Sequence, residues 1–244
     1  MLRRSMIVAV LAALGLMAAG VQAAEKAAEK AAEKAPAKAK AQNPAYAEVK
    51  DVPGLPRVLM FGDSISVGYH PFVREMLAGK ANLHRPKTNC SSTVVGLKSV
   101  DSWVGDQKWD VIHFNFGLHD MKYVDDKLVM VDVAKGKQWV PVEEYEKNLK
   151  QIVQRLKKTG AKLIWCATTP VPEGNKGRVP GDEVKYNEAA ARVMKEEGVP
   201  TDDLCALVKA HPDYQLPKNV HFTPEGYKAL AGQVAASIEK ALAK

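Results

Sequence analysis

The chain has little of what would staple a fold from outside. Three cysteines occur in 244 residues, Cys90, Cys166 and Cys205, and none sits in a C-x-x-C pair or at the Cys/His spacing of a zinc finger. That spacing argues against a structural zinc site. In an oxidising compartment two of the three could pair and leave one free; three buried thiols are the alternative. Large apolar residues are missing between residue 24 and Tyr46, a stretch of repeated Ala-Ala-Glu-Lys that cannot build a core. A strong excess of one charge is missing too. The formal +7 includes Arg3 and Arg4, and six lysines against four glutamates over 24–50, so the remainder carries only +3. That is too little to argue for a nucleic-acid partner.

The long apolar run from Met6 to Val21 follows Arg3 and Arg4, contains two glycines and ends at Val21-Gln22-Ala23. It reads as a signal peptide over 1–23 rather than a membrane anchor, which makes the protein an exported one, periplasmic or secreted, with no stable membrane insertion after cleavage. Residues 24–50 read as a semi-rigid spacer interrupted at Pro36. Residues 51–244 are enough for one compact domain.

Within that domain, "RVLMF" (57–61), "WDVIHFNF" (109–116) and "AKLIWCATT" (161–169) have the composition of strands buried on both faces. Between the last two, Tyr145, Leu149, Ile152, Val153 and Leu156 recur at helical spacing over 141–160, from Pro141 to Gly160. Further helices are expected over 181–198 and 222–242, with Thr223 as N-cap and Pro224 at the first position of the last one. Alternating strands and helices imply an α/β fold with a parallel sheet covered on both sides, and ligands at the carboxyl ends of its strands. Gly62-Asp63-Ser64, Gly117-Leu118-His119-Asp120 and Thr169-Pro170 all fall at such ends.

A serine at the end of a buried strand, just before a helix, can expose its hydroxyl beside free backbone N–H groups. His221, on the loop before the last helix, is the candidate base. Taken together, "FGDSISVGY", "FNFGLHD" and "VHFTPEGY" resemble the first, third and fifth blocks of the GDSL/SGNH hydrolases, in the family's order across 57–242. The resemblance implies a flavodoxin-like three-layer α/β/α sandwich of about five parallel strands and an ester hydrolase that needs no cofactor or metal. It implies Ser64 as nucleophile, His221 as general base, and an oxyanion hole from Ser64, a second-block residue and the third-block side chain. Gly96 or a residue near Ser91 is the second-block candidate. Asp63 and Asp120 are expected to support the loops.

Two positions depart from the family pattern. His119 stands where Gly-x-Asn-Asp would place asparagine, and Lys218 stands three residues before His221, where the triad acid belongs. A neutral imidazole still offers one N–H donor. The missing acid leaves a Ser-His dyad, with Asp213 and Asn219 as other candidates to orient the histidine. The resulting expectation is an exported serine esterase that removes small acyl groups, acetyl first, from a small-molecule or polysaccharide ester. The same scaffold serves an O-acyltransferase or a non-catalytic carbohydrate-binding relative. A metal hydrolase built on His113, His119, Asp120 and His221 is disfavoured because His113 and His119 need not share a face.

Overall fold

The computed structural model describes residues 43–243; the leader expected over 1–23 and residues 24–42 of the expected spacer lie outside the described residues. The folded unit starts at Asn43, ahead of the boundary expected at residue 51. The Asn43 side chain accepts the Ala45 N–H at 2.9 Å and starts a 3₁₀ turn, Pro44–Tyr46, whose Ala45 is fully buried. Arg74 donates to the carbonyls of Pro44 and Ala45, and the Arg85 guanidinium sits 5.5 Å above the Tyr46 ring. These contacts are made through backbone oxygens and one aromatic face, neither of which is visible in an Ala/Lys-rich composition.

Seven strands follow: β1 (Arg57–Phe61), β2 (Asn82–His84), β3 (Val111–Phe114), β4 (Tyr123–Val124), β5 (Lys137–Gln138), β6 (Lys162–Cys166) and β7 (Thr201–Asp202). Five of them form one sheet in the order β2-β1-β3-β6-β7, every neighbour parallel, while β4 and β5 make a small antiparallel hairpin. That is the flavodoxin-like order, and its direction reverses between β1 and β3, which opens a crevice beyond their carboxyl ends. β1 and β3 are near-continuous apolar runs because both faces of the sheet are covered; Val58–Phe61 and Val111–Phe114 are buried throughout.

The helices are α1 (Ser64–Met76), α2 (Thr93–Val104), α3 (Val142–Lys157), α4 (Asp182–Glu197), α5 (Leu204–Ala210) and α6 (Pro224–Leu242). α1 packs against α6, and α2, α3 and α4 pack in a row. The stripe read in α3 is the one it buries, with Tyr145, Leu149, Ile152, Val153 and Leu156 all inside. Among the described residues no helix is long and apolar enough to cross a membrane. Cys90, Cys166 and Cys205 are all buried and unpaired, the second of the two alternatives left open by sequence.

Two features hold the α1/α6 layer where the site needs it. His113 on β3 meets Asp202 on β7 at 3.0 Å, and Gln233 of α6 donates to the other carboxylate oxygen at 2.8 Å, so a buried polar network ties α6 to the sheet. The same pairing leaves His113 spent inside the core; among the described residues no three His, Cys, Asp or Glu side chains are grouped as a metal ion would need. Gly68 lets the two helices approach, since a Cβ there would lie 2.2 Å from the Tyr227 ring of α6. Gly68→Ala is therefore expected to cost about 1–3 kcal/mol through overpacking. Thermal denaturation checks this: an unchanged midpoint would show that the helices can separate without penalty.

Candidate active site

Ser64 is the first residue of α1, placed there because the apolar run of β1 ends at Phe61 and Asp63 caps the helix. Asp63 is 1% exposed; its Oδ1 accepts the Ile65 N–H at 2.9 Å and its carbonyl accepts the Ser66 hydroxyl. The turn is thereby fixed, and the serine stands at the positive end of the helix, where the first N–H groups lack helical acceptors.

His221 reaches that serine from the loop before α6. Thr223 caps α6 by accepting the Gly226 N–H, the Leu216 N–H donates to the His221 carbonyl, and Gln215 bridges to Phe222, so the loop is a tight hairpin. His221 Nε2 lies 2.9 Å from Ser64 Oγ. Its Nδ1 lies 2.8 Å from Asn219 Oδ1, and the same oxygen accepts the His221 backbone N–H at 3.1 Å. The backbone contact decides the chemistry of the side-chain one. A backbone N–H can only donate, so the Asn219 atom facing it is the carbonyl oxygen; that oxygen can only accept, so Nδ1 carries the proton and Nε2 presents a lone pair to the serine hydroxyl. The arrangement can take a proton from Ser64.

The vacant acid position is therefore not residue 218. Lys218 is exposed, adopts a left-handed φ of 57°, and lays its alkyl chain along Gly174, while its carbonyl accepts from Asn175. That positive φ reverses the chain so that Asn219, one residue later, faces the imidazole. Asn219 is one of the two other candidates that the sequence offers, and spacing alone does not choose it over Asp213.

His119 lines the same cavity of about 610 Å³ as Ser64 and His221. Its Nδ1 is 3.1 Å from the Ser91 hydroxyl. Burial, aided by Lys122 and Arg178, lowers its pKa to about 4 against the pull of Asp63, so it is neutral at pH 7. The Ser91 hydroxyl can donate to Nδ1 or accept from it; in the tautomer in which it donates, Nε2 carries the ring proton and is available as a donor.

Gly96, in contrast, is not at the site. It lies in the first turns of α2, its N–H donates to the Ser92 carbonyl at 2.9 Å, and a Cβ there would lie 2.7 Å from the Phe116 ring. It is glycine for helix packing, and the second-block residue that touches the site is Ser91, held at φ 56° with its N–H on Asn89 Oδ1. Asp120 caps α2, accepting from both the N–H and the hydroxyl of Thr93, while burial pushes its pKa up to about 7. Of the tryptophans, Trp109 and Trp165 belong to the core, and Trp103 and Trp139 pack partly buried against it, Trp139 with Lys122 4.3 Å above its ring.

An α/β/α sandwich with a serine and a histidine in contact at its topological switch point is a hydrolase-like arrangement, and comparison assigns the family. The model of the GDSL-like Lipase/Acylhydrolase family matches residues 60–229. The chain belongs to that family, whose relatives are carboxylic ester hydrolases. A GDSL esterase/lipase of Arabidopsis thaliana is 29% identical over 123 residues, 42% of this chain and 51% of its own length. The chain thus spans about half of that relative. Among solved structures, a lipase/acylhydrolase from Enterococcus faecalis superposes with TM-score 0.64 at 18% identity, covering 76% of this chain and 96% of its own. The acetyl xylan esterase AlAXEase gives 0.61 at 18%, covering 75% and 99%. The esterase EstA from Pseudoalteromonas, solved with monoethylphosphonate as inhibitor, gives 0.59 at 12%, covering 77% and 99%. These likenesses establish the fold.

The state of His119 is open to direct measurement. Because its folded pKa lies below the free value, it gains a proton only as pH falls through about 4. Its imidazole resonances should therefore stay flat from pH 9 to about 5.5 in a proton NMR titration, and a midpoint near 6.5 would show that the ring is not desolvated.

Proposed function

We propose that the protein is an exported serine ester hydrolase that removes small acyl groups, acetyl first, from a hydroxylated carrier such as a carbohydrate. The observation that carries this reading is the single line Ser64 Oγ, His221 Nε2, His221 Nδ1, Asn219 Oδ1, with contacts of 2.9 and 2.8 Å. The likeness to an acetyl xylan esterase supports the acyl group and the carrier, and the leader-like sequence of residues 1–23 supports export.

In this reading Ser64 Oγ attacks the acyl carbonyl while its proton passes to His221 Nε2. The oxyanion accepts hydrogen bonds from the Ser64 N–H at the start of α1 and from His119 Nε2. Collapse breaks the bond to the alcohol oxygen, which takes the proton from His221 and leaves as the alcohol. Water then attacks the acyl-enzyme, with its proton passing to His221 Nε2 and on to Ser64 Oγ as the acid is released. Asn219 holds the tautomer through all four proton transfers but adds no charge. That separates two functions which an aspartate performs together, orientation of the ring and stabilisation of the imidazolium.

Ser64→Ala is expected to abolish hydrolysis of p-nitrophenyl acetate and acetylated sugars, and to abolish labelling by a serine-reactive phosphonate, with an unchanged melting curve. Turnover within tenfold of wild type would reject the nucleophile. Asn219→Asp supplies the missing charge. It should raise kcat/KM by up to about tenfold, equivalent to about 1.4 kcal/mol. It should also move the acid limb of the pH profile upward, because a neighbouring carboxylate keeps His221 protonated to higher pH. Asn219→Ala should be slower than wild type. An Asp variant no faster than the Ala variant would remove Asn219 from the account.

A further inference from the structure

The cavity that holds Ser64, His119 and His221 has an unbalanced wall. Lys122, Lys176, Arg178 and Lys218 all line it, and no aspartate or glutamate does. None of the four is in a salt bridge among the described residues, although ten such bridges form elsewhere. Surface lysines alone would mean little. Arg178 is different, being only 8% exposed.

Arg178 is held as a binding group would be. Its Nε donates to the Leu118 carbonyl at 2.7 Å and Nη1 faces the Met130 thioether at 3.8 Å, leaving Nη2 with no protein acceptor among the described residues. Lys122 is fixed over the Trp139 ring. A buried guanidinium without a carboxylate is costly, and a second cation nearby adds to the cost. Burial lowers the pKa of both groups, and Arg178 lowers that of Lys122 further. Asp63 offsets this field at Arg178 and Asp120 offsets it at Lys122, but neither carboxylate lines the cavity or reaches salt-bridge distance of either cation.

We propose that this wall is a carboxylate subsite, so that the ester the enzyme takes is borne by an anionic alcohol, with Arg178 Nη2 and Lys122 receiving the carboxylate and Lys176 and Lys218 supplying attraction at the rim. The proposal rests on the hydrolase reading for the position of the scissile ester, and it deepens that reading by naming the charge of the leaving group. Guanidinium is suited to the task because its planar donors match a carboxylate and it carries its charge at every working pH. The competing explanation, that these cations merely stabilise the oxyanion, predicts equal benefit for charged and neutral esters.

The test uses matched probes, 3- and 4-acetoxybenzoate against the corresponding acetoxybenzamides. With wild type at low ionic strength, kcat/KM for at least one benzoate should exceed that of its amide by tenfold or more, and the ratio should fall as salt is raised. Arg178→Gln should bring the ratio within threefold. Lys122→Gln, which leaves the Leu118 contact in place, should lower it as well, so that misfolding of the Arg178 variant cannot decide the matter. A second arm measures binding of the same four compounds to Ser64→Ala, which needs no turnover. A tenfold benzoate preference there, without hydrolysis by wild type, would sink the hydrolase reading and leave the subsite standing. Ratios below threefold in both arms, for both isomers, overturn the subsite.

Discussion

The proposed chemistry depends on one contact between residues 157 positions apart, Ser64 Oγ to His221 Nε2. Neither side chain is positioned by its own neighbours alone. Ser64 is fixed by the end of β1 and the Asp63 cap of α1; His221 is fixed by a hairpin that the Thr223 cap of α6 closes. The contact is therefore only as good as the packing of α1 on α6. That packing in turn relies on Gly68 giving way to Tyr227 and on Gln233 anchoring α6 to Asp202 and, through it, to His113. A burial pattern far from the serine sets a hydrogen-bond distance at it.

Once the contact exists, the surrounding residues sort by what they do to charge. Asn219 fixes which imidazole nitrogen is basic, at the cost of the imidazolium stabilisation that a carboxylate would give. His119 is kept neutral at pH 7 by burial and by the cations beside it, which makes it a poor second base; in the proposed reaction its N–H is a donor. The four cations of the cavity leave a positive wall next to the negative transition state of the proposed reaction, with room for a further negative group. The carboxylate missing from the triad and the anion the wall would accept are complementary. A site already rich in positive charge tolerates an imidazolium poorly, and an anionic substrate would supply part of the compensation.

The long, strongly patterned elements were legible in the sequence. "RVLMF" is β1 to the residue, the Tyr145 to Leu156 stripe is α3, and the Thr223-Pro224 pair starts α6 where capping chemistry places it. Shorter elements were not. β2 is Asn82-Leu83-His84 and β7 only Thr201-Asp202, too brief and too polar for any periodicity to register. The two site residues that the sequence left undecided among several candidates share a cause: both depend on a non-glycine residue at positive φ. Ser91 at 56° and Lys218 at 57° reverse the chain locally, bringing the Ser91 hydroxyl to His119 and Asn219 to His221. Block spacing assumes no such reversal, so it could not choose Ser91 over Gly96, or Asn219 over position 218 and Asp213.

The central claim is that Asn219 makes His221 a base at Nε2. The most direct measurement is the tautomer itself, by nitrogen-15 NMR of imidazole-labelled protein at pH 8. The account predicts a neutral ring with a slowly exchanging proton on Nδ1 and an unprotonated Nε2, and loss of that protected proton in Asn219→Ala. A ring protonated on Nε2 in the wild-type protein would contradict it.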